Sequence, residues 1–253
     1  MKTKSIALIM SVLCITAGSV LAAATWTNAE GDGLWSTSNN WNTTSGLPSS
    51  GDSTFIKYNN TGLTGPVFDA SASQTIRNLS LEAGTSEAGD ALTMTMTSGD
   101  LTLNYYLRLG AGGSDGGAVQ LNMTGDSTIT AISNEGLIRV GSGYTGLLNM
   151  SDTAEITALA MTIDASNGSS VDLSDDAVIY LAGDQMAMVL EEISAGGFTS
   201  EGGTVNWVGH SLVSHPVYGI EATKITSIPE PATFGLLALM GGGMLWARRK
   251  FMI

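Results

Sequence analysis

The stretch "LRLGAGGSDGGAVQLNMTGDSTITA", residues 107–131, is followed by "IRVGSGYTGLLNMSDTAEITA", residues 138–158. Both run apolar-Arg-apolar-Gly-small-Gly, then Leu-Asn-Met-Thr/Ser, then on to Ile-Thr-Ala. Leu121 and Leu148 are 27 residues apart, as are Ile129 and Ile156. The first copy carries four extra residues around Ser114 to Gly117, in a Gly-rich turn. A degenerate third copy, "VDLSDDAVIYLAG" (171–183), places Ile179 23 residues after Ile156. An earlier copy reads "ALTMTMTSGDLTLNYY" (91–106). A period of roughly 20 to 50 residues marks stacked supersecondary units. Each unit here is two or three short strands punctuated by Gly, Asp or Asn, with no ten-residue helical pattern. The expected fold is all-β, a β-solenoid, most simply a parallel β-helix. Leu121, Met123 and Ile129 would point inward and stack on Leu148, Met150 and Ile156. The competing architecture is an antiparallel β-sandwich, also mostly strand. Spacing by whole coils rather than by hairpins favours the solenoid.

Two different zones flank the repeats. Residues 25–81 are rich in Trp, Asn, Gly and Ser, with Trp26, Trp35 and Trp41 close together. Gly31-Asp32-Gly33 and "LPSSGD" (47–52) are turn signals. "STFIKY" and "QTIRNLSL" alternate as strands do. The tryptophans fit a small core cluster, with sugar stacking as the competing role. After the repeats, "GDQMAMVLEEISAGGF" (183–198) reads as a capping helix near 184–195. Asp184 is a candidate N-cap, and Gly196 and Gly197 supply the stop. Met186, Val189, Leu190 and Ile193 form one apolar stripe, leaving Glu191 and Glu192 toward solvent. "TVNWVGHSL" and "GIEATKITSI" then read as strands.

The two ends read as addresses. Lys2 and Lys4 precede an apolar or small run from Ser5 to Leu21, and Ala22, Ala23 and Ala24 follow. This is the layout of a secretory signal, with cleavage expected after Ala24. At the other end, Pro229 and Pro231 block helix before Ala232. A helix from Ala232 to Trp246 would rise only ~22 Å against a hydrocarbon core of ~30 Å. Gly241, Gly242 and Gly243 weaken it further, and Arg248, Arg249 and Lys250 would stay on the cytoplasmic side. The expectation is a short transmembrane helix suited to a transient hold. The organisation is therefore a signal peptide (1–24), a Trp/Asn/Gly-rich β region (25–81), solenoid repeats (82–183), a helix with terminal strands (184–227) and a sorting tail (228–253).

Charge and cysteine narrow the chemistry. Cys14 is the only cysteine and lies in the signal, so the exported part has no disulfide and no thiolate metal site. Between Thr25 and Ile228 five basic residues face 22 acidic ones, a balance of −17. That excludes a nucleic-acid partner, which needs a basic footprint. His210 and His215 form a weak metal signal, more simply strand or surface histidines. Asp175-Asp176 reads as a turn, and Glu191-Glu192 is the other adjacent acid pair. No basic residue lies between Arg139 and Lys224 to partner either pair in catalysis. "GAGGSDGGA" (110–118) lacks the spaced second copy a calcium turn needs. No catalytic residue, cofactor or metal site is assigned.

The tail resembles the PEP-CTERM sorting signal of exported proteins in certain Gram-negative bacteria. The matching residues are Pro229, Glu230, Pro231, the apolar segment Ala232 to Trp246, and Arg248, Arg249 and Lys250. The resemblance implies recognition by an exosortase, a membrane-embedded protease or transpeptidase, and delivery to the cell surface or an extracellular polysaccharide matrix. The body is similar to exported β-helix proteins and to autotransporter passenger repeats, through "GDGLWSTSNNWNTTSGLPSSGDSTFI" and "RVGSGYTGLLNMSDTAEITA". The chain ends in an apolar segment where an autotransporter has its barrel. The expected role is structural or adhesive and non-enzymatic. The alternatives are a β-helix carbohydrate-active enzyme or a polysaccharide-binding module.

Overall fold

The computed structural model describes residues 22–43, 46–57, 65–69, 73–82, 91–112, 117–133, 135–200, 208–215 and 219–227. Their strands wind into five successive coils, each giving one strand to each of three sheets. The first coil is β3 (Ser53–Lys57), β4 (Val67–Phe68) and β5 (Gln74–Ile76). The second is β6 (Asn78–Glu82), β7 (Ala91–Met96) and β8 (Asp100–Leu103). The third is β9 (Tyr106–Leu109), β10 (Ala118–Met123) and β11 (Thr128–Ala131). The fourth is β12 (Leu137–Val140), β13 (Gly146–Met150) and β14 (Glu155–Ala158). The fifth is β15 (Ala160–Ile163), β16 (Ser170–Leu173) and β17 (Val178–Ala182). We call the three stacks sheets A, B and C, in the order a coil visits them.

All pairing between coils is parallel. Leu121 pairs with Leu148 in sheet B, and Ile129 with Ile156 and then Ile179 in sheet C. The sequence period is thus the structural register, and the antiparallel sandwich is ruled out. Two-fold alternation along each strand sends one set of side chains inward. Met94, Leu121, Leu148, Val171 and Phe198 make one continuous buried ladder, and Met96, Met123, Met150 and Leu173 make the next. Identical residues stack because each coil presents the same pocket to the next. Pairing continues from β3 to β6, so sheet A runs unbroken from residues 53–57 into the repeats.

The corners need glycine where backbones meet. Gly110 has φ +77, and a Cβ there would lie 2.2 Å from the carbonyl oxygen of Tyr144. Both the left-handed backbone and the close approach demand glycine. In sequence, the four extra residues of the third coil follow this glycine, between the ends of β9 and β10.

The ends are closed differently. At the N-terminus β1 (Ala23–Trp26) pairs parallel with β3 and antiparallel with β2 (Trp41–Asn42). Trp26, Trp35 and Trp41 are 2%, 0% and 4% exposed. Trp41 packs edge-on against both others, at 5.0 and 4.5 Å between ring centroids. At the C-terminus α1 (Met186–Ala195) and β18 (Phe198–Ser200) bring Val189 and Phe198 into the core. β20 (Glu221–Ser227) then adds antiparallel to β17, with β19 (Val208–Ser214) beside it.

The helix departs from its expected orientation. Gln185, not Asp184, occupies the N-cap position, although the Asp184 carboxylate accepts the Met186 N–H at 3.1 Å. Leu190 is 50% exposed rather than inward. The packed side is Met188, Val189 and Ile193, and it carries the half-buried Glu192. Gly196 ends the helix in the left-handed conformation, as expected. The expected N-terminal signal helix and C-terminal transmembrane helix fall on residues 1–21 and 228–253, outside the described residues. Among the described residues no helix is long and apolar enough to cross a membrane.

Candidate functional site

The outward half of the repeat pattern forms the candidate site. Strand alternation points Thr95, Asn122, Asn149, Asp172 and Thr199 away from the core of sheet B, one from each of five neighbouring strands. Parallel register sets them side by side at about 4.8 Å intervals. They line a groove of ≈ 610 Å³, with Leu147 and Ser170 also lining it. Corner residues Thr124, Ser151 and Ser174 border it. Each corner is fixed by its N–H, which donates to Met96, Met123 and Met150 carbonyls respectively.

The ladder is pre-ordered. Asn149 donates its amide to Asn122 Oδ1 at 3.0 Å, and Gln120 donates to the same oxygen at 2.7 Å. Thr199 Oγ1 donates to Asp172 Oδ1 at 2.7 Å. Hydroxyl, amide and carboxylate groups present hydrogen-bond donors and acceptors along the groove. Asp172 is the one carboxylate among its described lining residues, and no Lys, Arg or His is among them. The arrangement suits hydrogen bonding to an extended polar chain. The signal for this ladder was the Asn shared by both repeat copies, flanked by inward residues.

The residues singled out in the sequence lie elsewhere. Pro229, Glu230, Pro231, Arg248, Arg249 and Lys250 fall outside the described residues. Ala24, the last residue before the expected cut, is buried in β1 opposite Thr54. Burial of Trp26, Trp35 and Trp41 assigns them to the core and removes the sugar-stacking alternative. Asp32 organises the loop around them. Its Oδ1 accepts the Leu34 N–H at 3.0 Å and the Asn40 amide at 2.6 Å, and its Oδ2 accepts the Thr37 hydroxyl at 2.7 Å. Those bonds, the Leu34 N–H foremost, hold the Asp32 carboxyl below the usual aspartate range.

His215 is not on the surface. Its ring is buried, edge-on to Tyr180 at 4.5 Å, with Nε2 3.1 Å from Thr157 Oγ1 and 3.7 Å from Glu155 Oε1. Burial, and then the Glu155 charge, push the Tyr180 phenol above its ordinary range. This cluster ties the end of the β19–β20 hairpin to β14 and β17 of sheet C. The side chain of His210 is outside the description. Asp175 sits in a left-handed turn position at φ 54, as the turn reading requires. Of the Gly-rich "GAGGSDGGA", residues 113–116 lie outside the description. Among the described residues no three His, Cys, Asp or Glu side chains group as metal ligands. No protein-family model, curated protein or solved structure matches the chain.

Proposed function

We propose that the chain is an exported cell-surface or extracellular-matrix protein with a structural or adhesive role. An N-terminal signal delivers it, and an exosortase-type enzyme sorts it through Pro229-Glu230-Pro231. Its solenoid holds extracellular polysaccharide by many weak contacts rather than cleaving it. One observation carries the reading: Thr95, Asn122, Asn149, Asp172 and Thr199 repeat one hydrogen-bonding position across sheet B. A periodic, open, uncharged-to-acidic groove matches a periodic polar chain. The short apolar tail with its basic end supports a temporary membrane hold before processing.

Sorting is tested by replacing Pro229 and Pro231 together with alanine in the producing cell. The expected result is retention of a larger, unprocessed form in the membrane fraction. Delivery to the surface at the normal mature size would overturn the sorting claim.

A further inference from the structure

We infer that the outer face of sheet A is a second binding surface, selective for a carboxylate-bearing polysaccharide such as a polyuronate. The inference rests on the reading of this chain as a polysaccharide-binding matrix protein, and it names the class of polymer.

Three of the five cations between Thr25 and Ile228 lie in strands of sheet A and a fourth at the corner leading into it, although the same span carries 22 acids. Successive coils each supply one. Lys57 lies in β3, Arg77 at the corner before β6, Arg108 in β9 and Arg139 in β12. Lys57 is neutralised by Glu82 at 2.9 Å. Among the described residues none of the three arginines has a carboxylate within 4.0 Å. Arg108 and Arg139 are directly opposite one another in parallel register. Like charges so placed repel, and an anion lying across both would relieve that repulsion.

Two of the guanidinium groups are held against aromatic rings. Arg108 stacks on Tyr106 at 4.2 Å and Arg77 on Tyr105 at 4.4 Å. The Arg108 Nε is shielded from water and has no hydrogen-bond partner. The ladder through Arg108 and Arg139 continues as Ser80 on one side and Thr162 on the other, both short. Beside Arg139 a hollow of ≈ 310 Å³ opens, with Ser142 and Thr162 on its wall and the Asp164 carboxylate also lining it. Two arginines in register on adjacent coils, about 4.8 Å apart, suit a polymer with a carboxylate on each sugar. The planar fork of arginine pairs with a carboxylate through two parallel hydrogen bonds. A single small anion would need only one of these positions.

The test is affinity electrophoresis of the full chain at about 0.15 M salt, where the long-range repulsion from the acidic body is screened. The polymers are polygalacturonate, dextran sulfate and a neutral β-glucan. The expected result is retardation by polygalacturonate, weakened about tenfold or more in R108Q/R139Q and less in R108K/R139K. The double variant should keep the parent circular dichroism and its neutral β-glucan affinity. Equal affinity of parent and R108Q/R139Q for polygalacturonate would overturn the inference. So would tighter binding to dextran sulfate, which would shift the class from carboxylate to sulfate. Binding to neutral β-glucan alone would sink this inference and leave the proposed function standing. Binding to none of the three would remove both.

Discussion

Asp152 Oδ2 accepts the backbone N–H of Gly125 at 2.9 Å, reaching from one coil to the coil before it. The two residues hold the same corner position, and both have left-handed backbones, φ 58 and φ 62. Asp175, one coil further, repeats the conformation at φ 54. The corner thus tolerates either glycine, for its freedom, or aspartate, for its side-chain bond to the neighbouring turn. Asp152→Gly should leave stability within about 1 kcal/mol of the parent. Asp152→Ala should lose about 1–3 kcal/mol, from left-handed strain and the missing bond. Urea unfolding of the two variants checks this; equal stability of Asp152→Ala and parent would refute the corner account.

Gly110 gives a sharper test of coil stacking. A methyl group there meets the Tyr144 carbonyl, which is backbone and cannot rotate away. Gly110→Ala should therefore destabilise more than Ile156→Ala, whose cost from a buried cavity is about 2–5 kcal/mol. The melting temperatures of the two variants rank them. The reverse order would mean that the corner backbone yields easily.

The helix offers a pH test. Burial against the last coil, and then Glu191 and Asp164, hold the Glu192 carboxyl above the ordinary glutamate range, despite a hydrogen bond from the Ile163 backbone. A raised value means the folded state grips this proton more tightly than the unfolded chain does. Its stabilising share is full below the ordinary glutamate value and is lost as pH rises through the raised one. Glu192→Gln stays neutral throughout, so it should melt higher than the parent at pH 7. The gap should close below about pH 4. A gap independent of pH would show that charge is not the cause.

His215 holds the terminal hairpin through Thr157 and Tyr180. His215→Ala should leave Thr157 Oγ1 without this partner and uncover the Tyr180 ring. Hydrogen exchange should then quicken in β20 while β10 and β13 keep their protection. Uniform loss of protection across all coils would instead make the hairpin part of the global unfolding unit.

Much of the solenoid was readable because its repeats are local and self-similar. Leu121, Ile129 and their partners sit at one period, and the register follows from it. Both outward ladders were also in the repeat, as Asn122 with Asn149 and Arg108 with Arg139. Their meaning emerged only once parallel stacking placed each pair side by side. The helix was found but its rotation was not, since apolar spacing alone could not weigh Leu190 against Glu192. Burial of His215 was invisible because Thr157 lies 58 residues away. The tryptophans were readable as a cluster, while their burial depended on β1 and β2 closing the first coil.

The central claim is that sheet B presents a polysaccharide-binding ladder and performs no cleavage. The direct measurement is the dissociation constant of the full chain for a soluble neutral β-glucan, taken beside Asn122→Ala/Asn149→Ala. Removing two adjacent hydrogen-bonding rungs should weaken binding about fivefold or more, at unchanged circular dichroism, with no shortening of the glucan. No binding by the parent, equal binding by the double variant, or the appearance of shortened glucan would each contradict the account.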